Sequence, residues 1–152
     1  GHAGKHSQAI GKTHIDRIGQ HPDLLLAGIA DPTPAGQALA QRLDVPWAAE
    51  ATALLDQVQA QGTIVATPNA THVPVALDCL ARGIPVLVEK PVADTVTVAR
   101  QLADAAARTG VPVLVGHHRR HNPINQRARG LIAQGQLGRI VSATALATFL
   151  KP

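Results

Sequence analysis

Ile84-Pro85-Val86-Leu87-Val88-Glu89-Lys90-Pro91 is a short apolar run that ends in two opposite charges and a proline. Apolar residues that follow one another without alternation mark a strand buried on both faces, which is the habit of parallel sheets. The carboxyl ends of such strands are where open α/β sheets bind their ligands. A lysine at that end can hold a hydroxyl or carbonyl oxygen, and a neighbouring glutamate can fix its position and charge. Read alone, the same residues also suit a structural ion pair closing a strand, so the surrounding sequence has to decide.

Working outward, strand and helix patterns alternate. Upstream, Thr63-Ile64-Val65-Ala66 reads as a buried strand cut off by Thr67-Pro68-Asn69. Between them the segment 72–82 carries Val73, Ala76, Leu77, Leu80 and Ala81 on one helical stripe, closed by Gly83. Downstream, Asp94 or Thr95 caps a helix facing inward with Val96, Ala99, Leu102, Ala103 and Ala106, and Val111 to Val115 forms the next strand. Nearer the start, Leu24 to Ala30 reads as a buried strand ending at Asp31-Pro32, Pro34 opens a helix, Val45-Pro46-Trp47 is extended, and a helix covers about 50–59. The pattern from about 11 to 116 predicts a doubly wound α/β domain with a parallel sheet. Gly1 to Lys5 has no strand character, so the first strand is expected to be degenerate or missing.

After Gly116 the pattern changes. His117-His118-Arg119-Arg120-His121-Asn122 is a polar loop, and Pro123 opens a helix with Ile124, Ala128, Leu131 and Ile132 inward. The segment 139–149 then reads as a long strand with Ser142, Thr144 and Thr148 on one face, an antiparallel pattern. These features divide the chain into a first domain at 1–121 and the start of a truncated α+β domain at 122–152. An unpaired strand at 139–149 is an open ladder edge, which predicts a homo-oligomer.

Composition narrows the function classes. At 152 residues with 45% hydrophobic content, the chain can build a folded core. Trp47 and Phe149 are its aromatics, so that core rests on Ala, Val, Leu and Ile. The single Cys79 excludes an internal disulfide and falls in an apolar helical pattern, as a buried inert thiol does. No run approaches the ~20 apolar residues of a membrane span. No secretory signal is visible, which makes the cytoplasm the expected compartment. The net charge of +4 gathers in Arg119, Arg120, Arg127, Arg129 and Arg139, without interleaved aromatics or a DNA-binding motif, so nucleic acid is not an expected partner. His117 and His121 lie four apart, yet they precede the helix and have no carboxylate or cysteine near them in sequence, so no metal site is expected. Methionine is absent, so Gly1 is expected to be a processed end, a tag remnant or a fragment boundary.

Ile10-Gly11 leads into a helix, and Asp31 closes the next strand 20 residues after Gly11 (31 − 11 = 20). That is the distance from a dinucleotide-binding glycine turn to the acid that grips the adenosine ribose. Asp31 suits two ribose hydroxyls and would repel a 2′-phosphate, favouring NAD over NADP; an aspartate before proline is equally an ordinary turn former. With Gly11 as the third glycine of the fingerprint, the first two positions hold His6 and Gln8, whose side chains obstruct the turn.

From about Ala9 to Pro152 the chain resembles the glucose–fructose oxidoreductase / inositol 2-dehydrogenase (Gfo/Idh/MocA) family of NAD(P)-dependent sugar and cyclitol dehydrogenases. The resemblance rests on Gly11 through His14, Ala30-Asp31-Pro32, Ala66-Thr67-Pro68-Asn69-Ala70-Thr71-His72, Val88-Glu89-Lys90-Pro91, Gly116 through Pro123, Leu137-Gly138-Arg139-Ile140 and Phe149 through Pro152. It implies that Ile10, Gly11, Asp31, Thr67, Pro68, Asn69, His72, Glu89 and Lys90 bind the cofactor. It implies that Lys90 also reaches the reacting oxygen, and that His117, His118 and Arg120 lie on the substrate side. His72 read alone is more simply a residue of a helix N-terminus. The implied activity is hydride transfer between NAD and a secondary alcohol of a sugar or polyol substrate, with this chain a partial or inactive form. The alternative is a non-catalytic remnant that serves as an interaction or sugar-binding module.

Overall fold

The computed structural model describes the backbone of residues 2–146 and the side chains of residues 10–146. The chain forms two compact units, Gly1–Gly116 and His117–Pro152. The first holds α1 (His2–Gln20), β1 (Ile29–Ala30), α2 (Pro34–Leu43), β2 (Trp47–Ala48), α3 (Ala51–Leu55), β3 (Thr63–Val65), α4 (Asn69–Ala81), β4 (Val86–Val88), α5 (Val96–Thr109) and β5 (Val113–Val115). The second holds a 3-10 turn at His118–His121 and α6 (Pro123–Ala133).

Every strand pair is parallel, as the apolar runs require. β1 pairs with β2, and β3, β4 and β5 form a separate three-stranded sheet in which Val65, Val88 and Val115 stand level. Helix ends follow local chemistry. The Thr33 hydroxyl accepts from the Gly36 amide at 3.1 Å and Pro34 opens α2, while the Thr95 hydroxyl accepts from the Val98 amide at 3.3 Å to open α5. Gly110 ends α5 in the left-handed region at φ 70°, a conformation that favours glycine.

The core lies under one face of the three-stranded sheet. Val65, Val86 and Val88 pack against Val73, Ala76, Cys79 and Leu80 of α4 and Leu102 and Ala105 of α5. Small alanines let helix and sheet approach closely without aromatics. The other face carries Ile64, Leu87 and Leu114 in one register row, and Leu114 is 66% exposed. The expectation of strands buried on both faces therefore holds in full for one face only, since on the other Ile64 and Leu114 are exposed and Leu87 is half-buried.

Three further expectations are corrected. The strand predicted over Leu24 to Ala30 shrinks to Ile29–Ala30, and Leu25 is 92% exposed. Its ladder runs along the two residues of β2 and nothing extends it. The helix expected at about 50–59 stops at Leu55. The long strand at 139–149 is not formed at residues 140–146, which are exposed and in no regular element; residues 147–149 lie outside the described residues. No strand is described in that unit to pair with, so its backbone finds no ladder, and the edge expected to drive self-association is absent at 140–146. The degenerate first strand takes a definite form: among the described residues no strand precedes β1, and α1 runs unbroken from His2, in a segment free of proline up to Pro22. A central first strand is what would join the two sheets of a doubly wound fold, and here they are not hydrogen-bonded to each other.

Leu102 is 1% exposed and contacts the sheet core, so Leu102→Ala is expected to cost about 2–4 kcal/mol of unfolding free energy in urea melts. Leu25→Ala, at a residue 92% exposed, should change it by no more than about 0.5 kcal/mol.

Candidate functional site

The parallel register brings the ends of β3 and β4 level, so Thr67 and Lys90 leave neighbouring strands at the same edge. The Glu89 amide donates to the Val65 carbonyl at 2.9 Å, and the Gly116 amide donates to the Val88 carbonyl at 2.8 Å. Glu89 is thus fixed by the ladder before its side chain makes any contact.

That side chain is the most constrained polar group of the edge. His14 Nε2, from α1, donates to Glu89 Oε1 at 2.9 Å, and the Lys90 amide donates to Glu89 Oε2 at 3.2 Å. A Cβ placed on Gly116 would lie 2.9 Å from Oε1, so the carboxylate packs directly on a bare Cα. Burial pushes the Glu89 carboxyl up, but the His14 and Lys90 hydrogen bonds and the charges of those two residues outweigh it. The net effect holds the carboxyl below its ordinary range. The Lys90 side chain leaves this fixed peptide into solvent.

His72 is placed differently from the expectation that it lines the cofactor. It is 1% exposed, its Nδ1 is 2.8 Å from the Pro91 carbonyl and its Nε2 is 2.8 Å from the Thr67 carbonyl. With both nitrogens engaged inside the fold, it braces the two loops that carry Thr67 and Lys90 and offers no atom to a ligand. A neutral ring carries one N–H, so it donates to one carbonyl at a time; only a ring with two N–H groups serves both. Pro68 and Asn69, the N-cap and first residue of α4, are exposed, and the Thr71 hydroxyl donates to the Pro68 carbonyl at 2.8 Å. The Thr67 hydroxyl is buried and has no hydrogen-bond partner.

Asp31 is held by its own set of contacts. Its Oδ1 accepts from the Thr33 amide at 2.8 Å, and Trp47 Nε1 donates to its carbonyl at 2.9 Å. Gly36 leaves it room, since a Cβ there would come within 2.3 Å of Asp31 Cβ. Ile10 and Gly11 lie on the half-buried stripe of α1, and a Cβ on Gly11 would meet Ala66 Cβ at 4.0 Å, an ordinary contact that does not require glycine there. The rest of the fingerprint does not fit a pyrophosphate, because the backbone of positions 6 to 10 is already helical and its amides are not gathered in a turn. The residues present therefore suit the two ends of a dinucleotide and not its middle.

His117, His118 and Arg120 belong to the second unit, exposed in and before its 3-10 turn, where Asn122 Oδ1 caps α6 by accepting from the Ile124 amide at 2.9 Å. Among the described residues no group of three or more His, Cys, Asp or Glu is arranged to hold a metal ion, and no helix is long and apolar enough to cross a membrane. Sequence reading missed the parts played by His14 and Gly116. The signal for His14 was its place on the same face as Gly11 and Ile18, three residues after the fingerprint glycine.

Residues 6–117 match the family model GFO_IDH_MocA, described as an oxidoreductase family with an NAD-binding Rossmann fold. The chain is 31% identical over 131 residues to the rhizopine catabolism protein MocA of Rhizobium meliloti, covering 86% of this chain and 41% of that protein. It is 30% identical over 119 residues to an inositol 2-dehydrogenase of Rubrobacter xylanophilus, covering 77% of this chain and 34% of the relative. Among solved structures, the WlbA dehydrogenase from Bordetella pertussis, in complex with NADH and UDP-GlcNAcA, aligns with TM-score 0.81 at 30% identity, covering 86% of this chain and 38% of that one. The chain thus spans between a third and about two fifths of the length of these proteins.

Two outcomes follow from this geometry. A carboxyl lowered in the fold contributes stability above its unfolded range and loses it as pH falls through the lower folded value. The acid-side loss of melting temperature below about pH 4.5, the ordinary carboxyl value, is therefore expected to be smaller in Glu89→Gln than in wild type. His72→Leu, which removes the ring N–H that serves a buried loop carbonyl, should cost about 1–3 kcal/mol in denaturant titration.

Proposed function

The chain belongs to the oxidoreductase family with the NAD-binding Rossmann fold, and from that premise we propose that it is the cofactor side of a dehydrogenase acting on a secondary alcohol of a sugar or polyol. The observation that carries the reading is the strand edge where the exposed Lys90 leaves β4 on a peptide held by the Glu89 carboxylate. In this reading Lys90 holds and polarises the substrate oxygen, Glu89 fixes the peptide from which Lys90 departs, and Thr67, Pro68 and Asn69 border the nicotinamide end. Asp31, with Oδ1 occupied by the Thr33 amide, turns Oδ2 to the adenosine ribose and disfavours a 2′-phosphate. NAD, when bound, supplies the hydride acceptor; the chain supplies position and charge. An inositol 2-dehydrogenase and a dehydrogenase holding NADH among the relatives support the substrate class and the cofactor.

The helical backbone at positions 6 to 10 favours a second reading, a non-catalytic module that no longer grips pyrophosphate. Calorimetric titration separates the two. Binding of NADH is expected, weaker than low micromolar and tighter than that of NADPH, and Asp31→Ser should narrow the gap. No heat with either nucleotide supports the module. A low-micromolar constant would show that α1 does not obstruct the phosphates.

Where turnover of NAD with polyols is measurable, Lys90→Ala should lower it by about 100-fold or more with an unchanged melting temperature. A sharp fall in melting temperature with turnover retained would return Lys90 to a structural ion pair.

A further inference from the structure

We propose that His14 is a positioning residue for Lys90, acting through Glu89; the proposal rests on the functional reading of Lys90 given above. Nothing in the strand ladder requires a histidine on α1. The ladder fixes the Glu89 backbone through its amide to Val65, and it would do so with any side chain at position 89. What the ladder leaves open is the rotation of the Glu89 side chain and the peptide that follows it.

Three elements close that freedom. His14 comes from α1 and takes Oε1; the Lys90 amide takes Oε2; and the Cα of Gly116, just after β5, forms the wall against which the carboxylate lies. The ionic groups that act on the carboxylate are His14 and Lys90. Remove His14 and Oε1 loses its donor, so the carboxylate is free to turn and the hydrogen bond that orients the Lys90 peptide weakens with it.

A stabilising role alone accounts poorly for this arrangement. The His14 and Glu89 side chains are 25% and 13% exposed, and a pair that only closed the fold would need no set orientation toward the next peptide. This pair demands a glycine at 116 and joins segments 75 residues apart in sequence. Such a contact is better suited to setting a direction than to holding a fold. The direction it sets is that of the residue next in the chain, the lysine at the open end of β4.

The test compares wild type with His14→Ala and His14→Gln, the glutamine amide offering a donor near the place of Nε2. The Glu89 carboxyl carbon and the Lys90 amide are followed by NMR across the acid range, and NADH affinity is measured by calorimetry. In wild type the Lys90 amide shift is expected to track the Glu89 titration. In His14→Ala the titration should move to higher pH, the Lys90 amide should lose its hydrogen-bonded shift, and NADH should bind about tenfold more weakly, the scale of one lost charge-assisted hydrogen bond. His14→Gln should restore all three.

Unchanged Glu89 and Lys90 spectra in a folded His14→Ala protein overturn the proposal. So does a loss that His14→Gln fails to repair. If His14→Ala does not fold, His14→Gln and Glu89→Ala decide: the first should keep the wild-type Lys90 amide shift and the second, which has no side-chain acceptor, should lose it, and the opposite pattern refutes the link. If wild type binds no NADH, the functional reading falls, while the spectra still settle whether His14 positions Lys90.

Discussion

The parallel ladder of β3, β4 and β5 is the constraint on which the site depends. Its bonds run from the Thr63 amide to Pro85, from Val86 to Pro112, from Glu89 to Val65 and from Gly116 to Val88, all between 2.8 and 3.0 Å. These bonds leave no register freedom. A one-residue slip of β4 would exchange Val86 and Val88 for Leu87 on the buried face and turn Glu89 over with them. The helices that pin the register, α4 and α5, contribute Val73, Ala76, Leu80 and Leu102 to the same core. Packing on one side of the sheet thus decides the geometry of its polar end.

At that end, two kinds of support work together. Glu89 is held from outside by donors, where desolvation and hydrogen bonding compete and the donors win. His72 works from inside, fastening the Thr67 and Pro91 carbonyls to a ring that water does not reach. Lys90 lies between these two supports in sequence and is itself exposed. A flexible side chain on a stiff platform is what orientation of a small polar molecule needs.

Much of this was legible in the sequence, and the reasons differ element by element. The strands around Val65, Val88 and Val115 announced themselves because unbroken apolar runs have few other uses. Gly110 and Thr95 marked helix ends because their conformational and capping chemistry is local. Leu24 and Leu25 misled, since an apolar run signals burial only if a neighbouring strand exists to complete the ladder, and pairing is not a local property. The segment 140–146 misled for the same reason. Lys90 and Glu89 were visible as charges out of place, but His14 was not, because its partner lies 75 residues away and spacing on a helix does not say what the helix faces. His72 reads in the sequence as a residue lining the cofactor, and the structure buries it against the Thr67 and Pro91 carbonyls, as sequence has no means of separating a buried brace from a surface contact.

Cys79 has a use that its inertness conceals. It is the one thiol of the chain, fully buried against Leu80, Val86 and Leu102, and burial pushes its ionisation up, so little thiolate forms at neutral pH. A disulfide reagent in the solvent therefore reaches this sulfur only when α4 parts from the sheet. The protein carries, without any engineered label, a chemical clock for the opening of its own core, and the rate at which that clock runs separates changes that loosen the packing of α4 on the sheet from changes that act on the polar end alone.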